Sequence, residues 1–502
     1  MSKLDLVICS IPRMSLYYPP AAPALLKSKV QKAGFTCQTV DFTIRFHNRF
    51  FHTRQWQAID NWLVVPNLYD AKVMSMVKKE VQDWAKDLVA MDPKWIGISV
   101  FSYESHKITK LLCLEIRRLS THCRILLGGM GISDDAHGFA PKLKSLGLCD
   151  EYLLGDGEES LTRLLQGEVN HEFHRLTCLD SQPFADWEDY NLDQYKVSKQ
   201  RQNRSQKNKK NKTIWQGYGN TWYRSDEILT LPIVGSRGCV RKCKFCDIPH
   251  LWPKYKTRTA KNIAEEIILN YERYNVQRFH MTDSLINGSM KNFRELATIL
   301  AEYRQCNKAD FTITGQYIIR NADSETDEDY RNIAAAGFRI LEVGIESGSQ
   351  AVRYHMGKKF TNVDIDRFME RVHANGIMVV LLLIVGYPTE TEEDFQATLD
   401  MLTRYRSYLQ SGTIIEACLG GTLRIEPNTE LSRDPNVEFL PNHRGQVDDL
   451  NWIYRSNPTL DLRERIRRRL VAMKHAQELG YLSPTNDQEI LYLQSKWTEI
   501  QA

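Results

Sequence analysis

At 502 residues, 42% hydrophobic and 25% charged, the chain has an ordinary globular composition and room for two to four domains with ample core. Its formal net charge of +4 is too small to imply a polyanionic partner by itself, and its longest strongly apolar run, Ile377 to Val385, falls well short of the ~18 residues a membrane span needs. Met1 to Asp5 carries one basic residue before a strand-like run and does not read as a signal peptide, and eleven cysteines without disulfide-like spacing fit a reducing cytoplasm.

Leu4 to Ile11 is apolar and β-prone, and Tyr17-Tyr18-Pro19-Pro20 breaks it. Ala24 to Ala33 is helical in pattern with Gly34 as its stop, and Thr36 to Phe42 reads as a second strand. Residues 43–91 form a mostly helical insert carrying Trp56, Trp62 and Trp84. Trp95 to Phe101 predicts a strand, Ile108 to Leu119 a helix, and Ile125 to Leu127 a strand running into Gly128-Gly129; the turn Gly155-Asp156-Gly157-Glu158 precedes a short helix. Strands alternating with helices predict a Rossmann-like, doubly wound parallel sheet over residues 1–165, with ligands at the carboxyl ends of its strands. Residues 166–228 show little periodicity. Within them Lys196 to Lys212 holds eight basic residues and no acidic ones, which reads as a solvated linker, nucleic-acid binding being the less favoured use.

Past residue 229 comes the loop Gly235-Ser236-Arg237-Gly238-Cys239-Val240-Arg241-Lys242-Cys243-Lys244-Phe245-Cys246. Its C-x3-C-x2-C spacing lets three thiolates converge, with Arg237, Arg241, Lys242 and Lys244 favouring the ionised form. Two occupants suit the loop. A [4Fe-4S] cube on three protein thiolates keeps one iron open; alternatively, His250 completes a Cys3His zinc site of a nucleic-acid-binding module. Downstream, apolar strands at Arg278 to Asp283, Phe311 to Tyr317, Arg339 to Gly348 and Ile377 to Gly386 are separated by helices, the last opening with the N-cap signature Thr391-Glu392-Glu393-Asp394. This predicts a parallel (β/α) barrel or partial barrel over 229–431, whose functional rim is the carboxyl ends of its strands.

The cysteine loop, with Phe245 before its last cysteine, resembles the cluster motif of the radical S-adenosylmethionine (SAM) enzymes. Gly344-Ile345-Glu346-Ser347-Gly348 with Met356-Gly357-Lys358 is similar to that family's fifth-strand segment. Gly386-Tyr387-Pro388-Thr389-Glu390-Thr391 resembles its G-x-P-G-E-T turn, and Pro427-Asn428-Thr429-Glu430-Leu431 its P-G-T-x-L element, each with one Gly replaced. The N-terminal order of signals (Tyr18 to Pro23, Trp95 to Ser99, Leu126 to Gly129, Gly155 to Glu158) resembles the cobalamin-binding domain that precedes many such cores. The D-x-H-x-x-G signature for an axial histidine is missing near the first strand; Asp135-Ala136-His137-Gly138-Phe139-Ala140 comes close but reads as a surface turn.

The resemblance implies that Cys239, Cys243 and Cys246 hold the cluster. In that family the open iron is chelated by the amino and carboxylate groups of SAM, one electron cleaves the sulfonium, and a 5′-deoxyadenosyl radical removes a substrate hydrogen. Asp283 is then a candidate to accept from the α-ammonium of SAM, Gln316 and Glu346 are candidates for its carboxylate or ribose hydroxyls, and Gly386 for close approach to the adenine. Cobalamin is expected over the loops Ser10 to Pro23, Ser99 to Tyr103 and Gly128 to Gly131, with Ser99, Gly128 and Gly129 among its contacts and no histidine below the cobalt. Cys418 is a minor candidate for a thiol hydrogen donor. Residues 432–502 are expected to be mostly helical from Asp461, with Arg463, Arg465, Arg467, Arg468 and Arg469 on a solvated face. The reading is a cytoplasmic, cobalamin-dependent radical SAM enzyme, most consistent with methylation of an unactivated carbon, served by an external one-electron reductant. Other radical chemistry, a tRNA methylthiotransferase with a second cluster on Cys9, Cys37 and Cys113, and the zinc-containing nucleic-acid-binding protein are the alternatives, in that order.

Overall fold

The computed structural model describes residues 4–12, 14–51, 53–64, 68–133, 138–196, 228–441, 447–482 and 487–501. His137 and residues 197–212 of the basic run lie outside them. The chain forms two compact units, Met1–Pro232 and Ile233–Ala502.

In the first unit, strands β1 (Leu4–Ser10), β2 (Cys37–Asp41), β3 (Pro93–Ser99), β4 (Arg124–Gly128) and β5 (Glu151–Tyr152) form a sheet of order β2-β1-β3-β4-β5. Every neighbouring pair is parallel. Both faces are covered, as alternation along β1 requires: Val7 and Cys9 enter one core with Phe42 and Trp84, while Leu6 and Ile8 enter another with Val30 and Leu161. The tryptophan-bearing insert is three helices, Phe42–Phe50, Trp56–Val64 and Ala71–Ala90, and Phe42 stacks on Trp84 with centroids 4.7 Å apart. Residues 186–195, aperiodic in sequence, lie on this unit: buried Lys27 pairs with Asp186 at 3.2 Å and Asp189 at 2.8 Å, and the Tyr195 hydroxyl donates to Asp41.

In the second unit a six-stranded sheet follows chain order, from β6 (Thr230–Ile233), which carries the unit boundary, through β9 (Arg278–Met281), β10 (Thr312–Tyr317), β11 (Phe338–Glu346) and β12 (Met378–Leu383) to β13 (Ile414–Cys418). The pairs from β9 to β13 are parallel, and helices lie between successive strands. This is the sequential layout of a (β/α) barrel left open, since β6 and β13 are the two edges. The short strands β7 (Ser236–Arg237) and β8 (Lys256–Thr257) pair antiparallel at the cysteine loop. Helices Asp327–Ala335, Asn362–Ala374 and Glu392–Arg404 each open with a full capping box, on Thr326/Asp329, Thr361/Asp364 and Thr391/Asp394.

The C-terminal region differs from expectation in two ways. It adds an antiparallel hairpin, β14 (Val437–Pro441) and β15 (Val447–Tyr454), before the helix Leu462–Leu479. The arginines of that helix are not all on a solvated face, because Arg465, Arg468 and Arg469 are buried. Arg465 lies over the Trp452 ring at 3.5 Å, Arg468 pairs with buried Glu390 at 3.0 Å, and Arg469 donates to the Gly420 carbonyl. Guanidinium groups enter a core when carboxylates, carbonyls and an aromatic face receive them.

Candidate active site

The cysteine loop leaves β7 at the carboxyl side of β6 and is gripped by the other rim elements. The Lys244 N–H donates to the Met356 carbonyl at 3.0 Å, and the Leu431 N–H donates to the Lys244 carbonyl at 2.8 Å. Phe245 packs with Val352, Met356, Tyr387, Leu431 and Trp452. Met356 and Leu431 thus reach the loop from segments more than a hundred residues downstream. Cys239, Cys243 and Cys246 are each half-buried, and the Arg241 N–H approaches the Cys239 sulfur at 3.4 Å.

Burial pushes the Cys243 thiol up, partly offset by Lys358, and pushes the Cys246 thiol up to about 12. The loop cations expected to favour thiolate are therefore outweighed by desolvation at these two positions, and ionisation there calls for a bound cation. A three-thiol donor set on one supported loop fits an iron–sulfur cluster with an open iron. The zinc alternative fits less well: among the described residues no three His, Cys, Asp or Glu side chains are gathered to hold a single metal ion, and His250 is exposed. Nor can Cys9, Cys37 and Cys113 share a second cluster, since Cys9 and Cys113 lie in the core on one face of the first sheet and Cys37 in the core on the other.

Asp283 is buried just past β9. Its carboxylate accepts from the Gly235 N–H at 3.2 Å and from the Ser236 N–H, and burial pushes it up to about 7 against those hydrogen bonds. Its visible work is to anchor the start of the cysteine loop. Asp283→Ala is expected to cost about 1–3 kcal/mol by orphaning two buried N–H groups, whereas Asn keeps an acceptor. Because the folded value lies above the unfolded one, Asp283 contributes stability that is full below about pH 4 and lost as pH rises towards 7. Denaturant unfolding across that range should show a shallower decline in Asp283→Asn than in the parent.

Gln316 is exposed on β10, while its neighbour Tyr317 is buried against Phe293 and Phe368 on the helix side. Glu346 ends β11 with a left-handed φ of 66°, uncommon for a side-chain-bearing residue and a form of strain that gathers at functional sites. Its carboxylate pairs with buried Lys358 at 2.7 Å. Burial works against the Lys358 charge, but Glu346 and Cys243 outweigh it and hold the ammonium above its usual value. The Met356-Gly357-Lys358 pattern in the sequence carries no sign of this role for Lys358. The Gly386 N–H is bound to Glu390 at 3.0 Å, and with φ at 81° a Cβ there would stand 2.8 Å from Arg465 Cγ. Cys418 is half-buried at the end of β13, in register with Leu382.

In the first unit the strand order reverses between β1 and β3, where open parallel sheets receive ligands. Ser10, Ser99 and Gly128 form one register row at the carboxyl ends of β1, β3 and β4. The Ser10 hydroxyl is fully buried yet has no hydrogen-bond partner among the described residues. Gly129, with φ at 109°, lies so close to Val100 that a Cβ would meet its carbonyl oxygen at 2.5 Å. Small residues in a row with an orphaned hydroxyl fit a ligand tail entering at the switch point. His106, which sequence reasoning passed over, engages the Gly131 carbonyl at 2.7 Å and stacks on Phe139.

Residues 233–402 match the model of the Radical SAM superfamily. The chain is 26% identical over 174 residues to the ribosomal protein uS12 methylthiotransferase RimO of Hydrogenobaculum sp. (34% of this chain, 43% of that protein). It is 26% identical over 231 residues to the cytidylyl-2-hydroxyethylphosphonate methyltransferase of Streptomyces wedmorensis (44% and 38%). It therefore spans about two-fifths of the length of these curated relatives. Similar solved structures include the radical SAM methyltransferase TsrM from Kitasatospora setae with cobalamin and [4Fe-4S] cluster bound (TM-score 0.60, 15% identity, 96% of this chain and 90% of that one). The cobalamin-dependent SAM radical enzyme OxsB with aqua-cobalamin and SAM bound is another (TM-score 0.60, 15% identity, 99% and 72%). At such identities these two structures speak for a shared fold. Among the described residues no helix is long and apolar enough to cross a membrane. The segment that matches the Radical SAM superfamily model, residues 233–402, is the one that holds the C-x3-C-x2-C loop and most of the sequential parallel sheet.

Proposed function

We propose that this chain is a cobalamin-dependent radical SAM methyltransferase, acting on an unactivated carbon in a cytoplasmic setting. The observation that carries the reading is the convergence of the rim segments at Met356 and Leu431 on a half-buried three-cysteine loop, in a chain that also has a switch-point row of small residues. When bound, the cluster and SAM supply a 5′-deoxyadenosyl radical and cobalamin supplies the methyl group. Cys239, Cys243 and Cys246 would hold the cluster. Glu346, Lys358 and Gln316 offer charged and polar groups at the strand ends for the amino-acid and ribose parts of SAM. Asp283 fixes the start of the loop, and Ser10, Ser99, Gly128 and Gly129 would contact cobalamin at the switch point. All eleven cysteines are free of disulfides, as a reducing compartment requires. The substrate, small or macromolecular, and the reductant are separate partners.

The test is anaerobic reconstitution with iron, sulfide and hydroxocobalamin, followed by desalting. About four irons per chain, retained cobalamin and release of 5′-deoxyadenosine on reduction with SAM are expected; about eight irons would favour a methylthiotransferase, and zinc the binding protein. The retained cob(II)alamin should be base-off, without nitrogen superhyperfine splitting. Such splitting would implicate an imidazole, His106 first, and loss of cobalamin on desalting would remove the methyltransferase reading.

A further inference from the structure

We propose that the buried Lys358–Glu346 pair sets the reduction potential of the cluster, with Lys358 the charge that makes it easier to reduce. This rests on the reading of Cys239, Cys243 and Cys246 as cluster ligands.

Three observations carry it. The Lys358 backbone lies beside the ligand loop: Lys244 donates to the Met356 carbonyl at 3.0 Å, and a Cβ on Gly357 would stand 2.9 Å from the Lys242 carbonyl oxygen and 3.6 Å from Cys243 Cα. Both charged residues are 8% exposed, so water screens them little. Their geometry is fixed, the Lys358 ammonium donating to Glu346 Oε1 and to the Gly344 carbonyl, each at 2.7 Å, from a strand end held at positive φ. An ammonium has three donors, so one N–H remains beyond these two bonds.

The redox consequence follows from charge alone. A cluster held by Cys239, Cys243 and Cys246 would take one electron from an external one-electron donor, which would be oxidised in turn; no bond would form or break, and the charge beside Lys358 would become more negative by one unit. A fixed, poorly screened cation stabilises that product, and the carboxylate opposes it. Lys358 acts through the cluster's environment rather than on the substrate, so its signature is a potential.

The experiment uses the full chain, reconstituted with iron and sulfide and without SAM, poised at set potentials and read by the paramagnetic signal of the reduced cluster. Lys358→Met should lower the reduced-to-oxidised ratio at fixed potential about tenfold, equivalent to a downward shift of about 59 mV for a one-electron couple. Glu346→Gln should shift it upward, Lys358→Arg should stay near the parent, and Lys358→Met with Glu346→Gln should return towards it. If Lys358→Met fails to load iron, the upward shift of Glu346→Gln is read against an unmoved Lys358→Arg, and no upward shift in Glu346→Gln overturns the proposal. Unchanged potentials in Lys358→Met and Glu346→Gln, or shifts of both in the same direction, overturn the proposal. A parent chain that binds no iron and sulfide overturns the cluster reading itself, which the metal content shows before any potential is measured.

Discussion

Replacing Cys239, Cys243 and Cys246 together by Ala is expected to remove all bound iron and sulfide, the visible absorbance of the reconstituted protein and every trace of 5′-deoxyadenosine formation. No side chain elsewhere can substitute, because among the described residues outside the loop no three His, Cys, Asp or Glu groups gather to hold even a single metal ion. The fold itself should survive. The loop is tied in place by main-chain bonds from Lys244 to Met356 and from Leu431 to Lys244, and by Phe245 packed against the core, none of which uses a thiol. Circular dichroism of the triple variant should therefore match the parent without metal. His250→Ala is the contrasting arm: His250 is exposed on the short helix Ile248–Leu251, and the variant should keep full iron and colour. Metal loss in His250→Ala together with zinc in the parent would reinstate the Cys3His site.

Local chemistry made the second unit legible. Thr391 and Asp394, three residues apart before an apolar-periodic run, form the capping box that their spacing suggests, and continuous apolar strands such as Ile377 to Val385 become buried parallel strands. The register row Ser10, Ser99 and Gly128 follows from strand ends whose turn residues were visible, once the sheet order is known. What stayed hidden depends on partners distant in sequence. Arg468 meets Glu390 across 78 positions, and Arg469 meets a carbonyl at Gly420, a partner with no sequence signature. A run of arginines beside Leu462, Ile466 and Leu470 looks the same whether its charged side faces water or a rim turn. Lys358 was hidden similarly, because a lysine two residues past a methionine says nothing of a carboxylate held at the end of β11. The hairpin β14–β15 packs Trp452 and Tyr454 inward, but polar residues such as Asp448, Asp449 and Asn451 dilute its alternation.

Arg468→Met is expected to destabilise the second unit by about 3–5 kcal/mol, because it leaves the Glu390 carboxylate buried without its cation. Arg468 binds Glu390 Oε1 and the Glu390 carbonyl and reaches the Thr391 carbonyl, while Glu390 Oε1 also receives the Gly386 N–H. The second Glu390 oxygen has no partner among the described residues, so the carboxylate has no other means of support there. Burial already pushes Glu390 up to about 7 with Arg468 present. A carboxyl with a raised folded value contributes stability fully below its unfolded value and loses it as pH rises through the folded value. Removing Arg468 raises that folded value further, so the group protonates in the variant and escapes part of the cost at low pH. Urea unfolding should consequently show a larger loss at about pH 8 than at about pH 5.5. The companion Arg468→Met/Glu390→Gln should cost less than Arg468→Met alone, with a coupling of about 0.5–3 kcal/mol, since Gln keeps an acceptor for the Gly386 N–H without a charge. A pH-independent loss, or none, would mean that the pair is not what holds this turn. Because Gly386 is tethered only one residue before Tyr387, the turn loosens in Arg468→Met, and SAM affinity measured on the folded fraction should fall with it while the iron content of the cluster stays at the parent level.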